Sequence, residues 1–373
     1  MNRKTRALLG AAAVIGLAAC SEPPPGGQSA RPADQAAAPA AASVPVTPAA
    51  NPAPPSVAAS TNPAAQAIDA AGWSADLTDK AALKQAMIRA QVVLDRAHFS
   101  PGVIDGQGGE NVRQAIAAFE QSKGLNPDGQ LDAEVWSALT QADAGPVMQD
   151  YVIADADVAG PFVEKIPTDY AEMAKLKALS YSSPLELLAE KFHMDEALLK
   201  ALNPGVDFAK AGTTILVVRP GEDKLPSQVE RIEVDKAERE VRAYGAGDTL
   251  LAVYPATVGS TSRPAPTGEW AVRTVATEPT WNYDPKRLTF GNKTDKLTIA
   301  AGPNNPVGAV WIDLTKDTYG IHGTPNPVKV GKADSHGCVR LTNWDAQELA
   351  SAVKAGAKVI FTGSETKTGK TSA

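Results

Sequence analysis

The sequence predicts a multidomain chain that ends in a mainly β domain, sandwich or barrel-like with one packed helix. A small three-helix domain and a βααβ module precede it. Three observations carry this. From Val229 onward, β-rich runs are bounded by Gly, Pro, Asp or Asn, and one helical stripe interrupts them. Between residues 76 and 142, three apolar stripes of helical period are separated by Asp-Gly turns. Between 176 and 220, two helix-capping signals sit between two extended runs. A chain of 373 residues has room for two or three domains. Its formal charge of -6 and the lack of a basic run argue against a nucleic-acid partner.

Residues 1–19 read as a secretory signal. Arg3, Lys4 and Arg6 precede the apolar run Ala7–Ala19, which is shorter than the ~20 residues needed to cross a bilayer. The run ends Leu17-Ala18-Ala19-Cys20, which resembles a bacterial lipoprotein lipobox. That resemblance implies lipid on Cys20 and a membrane anchor. Ser21, where a retention signal would place Asp, favours the periplasmic face of the outer membrane of a Gram-negative cell. The plainer reading is an export signal that happens to hold a cysteine. With Cys20 lipidated, Cys338 has no partner for an intramolecular disulfide, because the chain has two cysteines. Residues 20–68 are dominated by Ala and Pro and cannot bury enough surface to fold, so they read as a disordered tether.

Residues 69–143 carry the three helical stripes. Leu83, Met87, Ala90 and Leu94 mark the first, and Val112, Ile116 and Phe119 the second. Asp132 caps a third with Val135, Trp136 and Leu139. The region resembles the small peptidoglycan-binding domain of wall hydrolases through Gly102-Val103-Ile104-Asp105-Gly106, Ala118-Phe119-Glu120, Gly124-Leu125 and Asp128-Gly129-Gln130-Leu131. Glu120 stands where that family commonly has Gln, and a helical spacer without a ligand is the alternative. Residues 144–175 read as a connector. In residues 176–220, Ser183-Pro184-Leu185-Glu186 is a capping box with proline at the first helical position. Asp195 caps a second helix ending at Leu202, and Lys177–Tyr181 and Thr213–Val218 are the expected flanking strands. This order and the Leu202-Asn203-Pro204 step resemble a LysM domain, which implies glycan binding. His193 is expected on the surface.

Residues 221–363 form the β domain. Arg231–Val234, Glu240–Tyr244, Leu250–Val258, Glu269–Val275, Leu297–Ala300, Ala309–Leu314 and Ala357–Phe361 are the expected strands. The helix has Ala346, Leu349, Ala350 and Val353 on one face, Thr342 before it and Gly356 after it. Residues 364–373 are expected to fray.

The chemistry concentrates between Ile321 and Leu341, which hold two of the four histidines and the second cysteine. A thiol of ordinary pKa, ~8.5, is only a few per cent ionised at pH 7, and a nearby imidazole can take its proton to give an ion pair. Full ionisation raises the thiolate population by no more than ~30-fold, about 2 kcal/mol. The rest must come from donors to the oxyanion, each worth ~10²–10³. Gly337 suits that role, since its missing side chain lets a carbonyl approach the Gly337 and Cys338 amides. Two histidines can serve as base. His336 is two residues from Cys338, and His322 is expected on a neighbouring strand, with the Gly323 carbonyl orienting its ring.

His322-Gly323-Thr324 and Ser335-His336-Gly337-Cys338-Val339-Arg340 together match the signature of the L,D-transpeptidases, YkuD type. Pro266-Thr267-Gly268, Pro279-Thr280-Trp281-Asn282 and Ala301-Gly302-Pro303-Asn304-Asn305-Pro306-Val307-Gly308 extend the match over roughly residues 229–362. The resemblance implies Cys338 as nucleophile, His322 as base held by Gly323, and His336, Gly337 and the Cys338 amide around the oxyanion. It implies substrate-binding roles for Ser335, Thr324 and Arg340, the last facing a substrate carboxylate. The implied substrate is a peptidoglycan tetrapeptide stem, attacked at meso-diaminopimelate with loss of D-Ala. The acyl group then passes to an amine, giving a 3→3 cross-link or attaching a lipoprotein, with no cofactor.

Three rivals stand beside this reading. A zinc site at His322, Asp334, His336 and Cys338 lacks a Cys-x-x-Cys pair or a His-Glu-x-x-His helix, so no metal is expected. The same thiol could pass its acyl group to water, as a carboxypeptidase or amidase. A non-catalytic wall-binding scaffold is the third, and the intact His322/Cys338 pair argues against it.

Overall fold

A computed structural model describes residues 60–288, 295–335 and 337–365. The expected signal, Cys20, the tether as far as residue 59, His336 and residues 366–373 lie outside the described residues.

The described chain opens earlier than the tether expectation allows. Asn62 caps helix α1 (Pro63–Asp69) by accepting from the Ala64 amide, with proline at the first turn. Ile68 gives that helix a large apolar side chain to bury, and Asp69 accepts from the Val147 and Met148 amides at 2.7 and 3.0 Å. Three longer helices follow: α2 (Lys80–Arg96), α3 (Glu110–Lys123) and α4 (Ala133–Ala142), capped by Asp79, ended by Gly124, and capped by Asp132 respectively. Val112, Ile116, Phe119, Val135 and Leu139 are buried as their stripes predict. Leu83 is exposed instead, because α2 buries its C-terminal half from Ile88 to Leu94 rather than one full-length stripe.

The next unit comprises β1 (Met148–Val152), α5 (Asp155–Val158), α6 (Tyr170–Met173), α7 (Pro184–Lys191), α8 (Glu196–Leu202) and β2 (Thr214–Val218). The caps at Ser183 and Asp195 form as expected. The first strand does not. β2 pairs antiparallel with β1, in the segment expected to be a connector, from Met148↔Val218 to Val152↔Thr214. Residues 177–181 are not a strand of this unit. Leu179 bonds the C-terminal domain instead, donating to Ala301 O at 2.8 Å and accepting from the Asn304 amide at 2.9 Å. His193 is buried rather than on the surface. Its Nδ1 meets Asp95 at 3.1 Å, its Nε2 meets Asp223 at 3.2 Å, and its ring stacks on Trp344. Burial alone would lower its pKa, but the Asp95 and Asp223 carboxylates push it up to about 10. The helical domain and the βααβ unit share one hydrophobic core, within which Ile104 pairs with Met194.

The C-terminal domain runs β3 (Val229–Asp235), β4 (Glu240–Tyr244), β5 (Leu250–Pro255), β6 (Thr257–Val258), β7 (Gly268–Thr277), β8 (Trp281–Tyr283), β9 (Leu297–Ile299), β10 (Val310–Leu314), β11 (Gly320–His322), β12 (Val339–Arg340), α9 (Asn343–Ala352) and β13 (Val353–Thr362). Nine strands form one sheet in the order β5-β4-β3-β13-β7-β10-β11-β12-β6. Its outermost strands, β5 and β6, are separated in sequence by Ala256 alone, so the sheet must curl round toward itself. The result is the expected barrel-like form. α9 packs against it through Ala346 and Leu349, both fully buried. Residues His98–Ser100 bond along the outer edge of β5, so the N-terminal part covers an edge that would otherwise be open. Glu365, in the segment expected to fray, accepts from the Ala265 amide at 2.7 Å.

Candidate active site

Strand pairing decides which side chains meet. β11 and β12 are parallel, with Ile321 opposite Val339 and His322 opposite Arg340. Side chains alternate along a strand, so the fully buried Ile321 and Val339 take the core face. His322, Arg340 and Cys338, two residues before Arg340, therefore share the other face. That face opens into one groove lined by Cys338, His322, Arg340, Trp311, Thr318, Tyr319, Trp281 and Tyr170. The cavity within the groove measures about 180 Å³ and opens to solvent.

His322 is 3% exposed and held on two sides. Its Nδ1 donates to the Gly323 carbonyl at 2.7 Å, which leaves Nε2 as the unprotonated nitrogen of the neutral ring. Trp311, its register partner on β10, stacks on it with centroids 5.4 Å apart. Burial first, and the Arg340 charge second, lower its pKa to about 3, against the opposing pull of hydrogen bonding to the Gly323 and Val307 backbone. The ring is therefore neutral at any working pH.

Cys338 is half-buried, and its thiol donates to the Thr318 carbonyl at 3.7 Å. Thr318 holds φ 69° in the turn before β11, an unusual conformation for a β-branched residue. Burial raises the thiol pKa above its ordinary value, while the Gly320 backbone and the Arg340 cation pull it down less strongly. Burial thus disfavours the charged form of each group, a cost that the ion pair expected from sequence has to offset. The raised thiol pKa carries a prediction for the substrate-free enzyme. Alkylation of Cys338 by iodoacetamide is expected to be slow at pH 7 and to climb about tenfold per pH unit toward pH 9. A plateau near neutrality, the mark of a resting ion pair, would contradict it.

The turn before Cys338 is braced internally. Ser335 Oγ donates to the Cys338 carbonyl at 2.6 Å and accepts from the Gly337 amide at 3.1 Å, while the Ser335 amide bonds Gly259 O. Ser335, expected to touch substrate, is 4% exposed and acts on the turn. Gly337 has φ 117°, and a Cβ there would meet the Tyr319 ring at 2.9 Å, so this position needs glycine. Its amide, expected at the oxyanion, is engaged by Ser335 in this state. Thr324 lies with Arg340 in a second groove beyond Tyr170, alongside Thr168, Met173 and Asn304. Among the described residues no group of three or more His, Cys, Asp or Glu side chains is placed to hold a metal.

Sequence reasoning missed three aromatic walls. Trp281 sat within a quoted motif and Trp311 within a predicted strand, so both carried a signal. Tyr170 carried none. It comes from α6, in the segment read as a connector, and packs edge-on against Trp281 at 5.0 Å and beside Tyr283 at 5.2 Å.

Comparison with known proteins agrees with this geometry. The family model described as the L,D-transpeptidase catalytic domain, YkuD, matches residues 229–361, and a peptidoglycan binding domain model matches residues 84–139. The chain is 33% identical to the protein of Bacillus licheniformis named "Putative L,D-transpeptidase YkuD" over 48% of its own length and 93% of that protein. It is 29% identical to the protein of Escherichia coli K12 named "Probable L,D-transpeptidase YbiS" over 56% of its own length and 72% of that protein. With a groove that joins a cysteine to a neutral, carbonyl-held histidine, and a relative matched over nearly its whole length, the chain belongs to the L,D-transpeptidase family and is an enzyme of that class.

Proposed function

We propose that the enzyme acts on the peptide stems of peptidoglycan through a thioester on Cys338. The supporting observation is the common face of His322, Cys338 and Arg340 in one groove. Cys338 Sγ attacks the carbonyl of meso-diaminopimelate in a tetrapeptide stem as its proton passes to His322 Nε2. The developing oxyanion meets the Cys338 amide, joined by the Gly337 amide once Ser335 releases it. Collapse breaks the C–N bond, and the imidazolium proton leaves with D-Ala. An amine then attacks the thioester, its proton returns through His322 to sulfur, and a new amide forms. Burial disfavours a lone charge on either group, which favours proton transfer in step with S–C bond formation. Arg340 supplies a cation for a stem carboxylate.

On this reading the helical domain holds the enzyme to peptidoglycan, and the LysM-like βααβ unit meets glycan strands. A lipid on Cys20 keeps it at a bacterial membrane, facing the wall from the periplasmic side. Incubation with purified disaccharide-tetrapeptide, followed by mass analysis, tests the reaction. The expected products are D-Ala and a cross-linked dimer. Hydrolysed tripeptide alone would reassign the enzyme as a carboxypeptidase, and unchanged substrate would overturn the reading.

A further inference from the structure

The βααβ unit reaches the catalytic histidine through one buried carboxylate. Glu190, on α7, accepts from Asn343 Nδ2 at 2.9 and 3.2 Å. Asn343 opens α9, and the same nitrogen donates to Pro303 O at 3.3 Å. Its Oδ1 accepts from the Ala309 amide at 3.1 Å. That oxygen is wedged between two glycines, since a Cβ at Gly323 or Gly308 would lie 2.2 or 2.3 Å from it. Gly323 is the residue whose carbonyl holds His322 Nδ1.

The two faces of an amide differ in chemistry, so its neighbours decide which way it points. Glu190 and Pro303 call for the NH₂ end, and the Ala309 N–H calls for the oxygen. Turned over, Asn343 would set donor against donor at Ala309 and place its NH₂ against the Gly308–Gly323 contact. Relief would have to come from the backbone at Gly323, and the imidazole would move with it. Glu190 is 8% exposed, and burial raises its pKa to about 8 despite the Asn343 and Tyr181 hydrogen bonds and the nearby His193. A largely protonated carboxyl still offers a carbonyl oxygen to Asn343, as a glutamine would.

We propose that Glu190 is a positioning residue for the reaction, locking the Asn343 amide so that the Gly323 carbonyl presents His322 to Cys338. The βααβ unit is then part of the catalytic apparatus and not only an attachment. The inference rests on His322 being the base.

The test uses the full chain with Glu190→Gln and Glu190→Leu, which differ little in size but greatly in hydrogen-bond acceptance. Two readouts are taken: kcat and KM for D-Ala release from disaccharide-tetrapeptide, and the ¹⁵N signal of His322 in protein labelled at its four histidines. Glu190→Leu is expected to lose about tenfold in kcat with KM within about twofold, and to lose the single Nδ1-protonated signal. Glu190→Gln is expected to stay within about twofold of the parent in both constants and to keep the signal. Should the leucine variant fail to fold, Glu190→Asp withdraws the carboxylate by one methylene and carries the same expectation. A folded leucine or aspartate variant with parental kcat, or a glutamine variant as impaired as leucine, overturns the proposal. If the parent releases no D-Ala, the substrate reading fails, while the ¹⁵N signal still decides the role of Glu190.

Discussion

Cys338→Ala is expected to bring D-Ala release down to the uncatalysed background, a loss of at least roughly 10⁴-fold, while the chain stays folded. The sulfur is the atom that forms and breaks bonds, and no other described side chain in the groove is a nucleophile of comparable strength. The fold depends little on it. The thiol's bond to Thr318 O is long, at 3.7 Å, and the neighbouring register is held by Val339 and Ile321 in the core. Removing one half-buried sulfur therefore costs on the order of 1 kcal/mol or less. The checks are steady-state D-Ala release beside a thermal midpoint. Parental turnover in the folded variant would remove Cys338 from the mechanism.

His322→Ala is expected to cost ~10²–10⁴ in kcat at pH 7, the range for losing a positioned general base. The loss should shrink in alkali. With burial holding the thiol above its ordinary pKa, the thiolate is scarce at pH 7 and grows about tenfold per pH unit below that pKa. A variant without a base is limited by that population, so its rate should rise with pH toward the parent's. In the parent, His322 has its pKa lowered to about 3 and stays neutral across the working range, so no acid limb from this ring is expected above about pH 4. His98→Ala is the contrasting variant. His98 pairs with Glu348 at 2.6 Å and does not line the groove, so kcat per folded molecule should be nearly unchanged. Equal losses at the two histidines would reassign the base.

Local patterns in the sequence were reliable where local physics decides. The caps at Asp132, Ser183 and Asp195, the helical faces around Phe119 and Leu139, and most strands of the C-terminal domain follow from spacing and turn residues alone. His322 and Cys338 were legible because their residue types sit in a glycine-rich motif with strands to either side. What was not legible depends on partners far along the chain. β1 finds β2 across more than sixty residues, and nothing in Met148–Val152 marks it over Lys177–Tyr181. His193 looked exposed because a lone polar residue usually is, and its burial requires Asp95, 98 residues away. Glu190 reads as an ordinary solvated helix residue until Asn343, 153 residues on, gives it a reason to be inside. The short strands β11 and β12 are too brief to signal themselves, although they set the active face.

The most direct measurement is the intact mass of the enzyme milliseconds to seconds after mixing with disaccharide-tetrapeptide. The expected result is an added mass equal to the substrate less D-Ala, mapped to Cys338, absent in Cys338→Ala and discharged when an amine is supplied. An enzyme that releases D-Ala with no such adduct under any quench, or with the adduct on another residue, would contradict it.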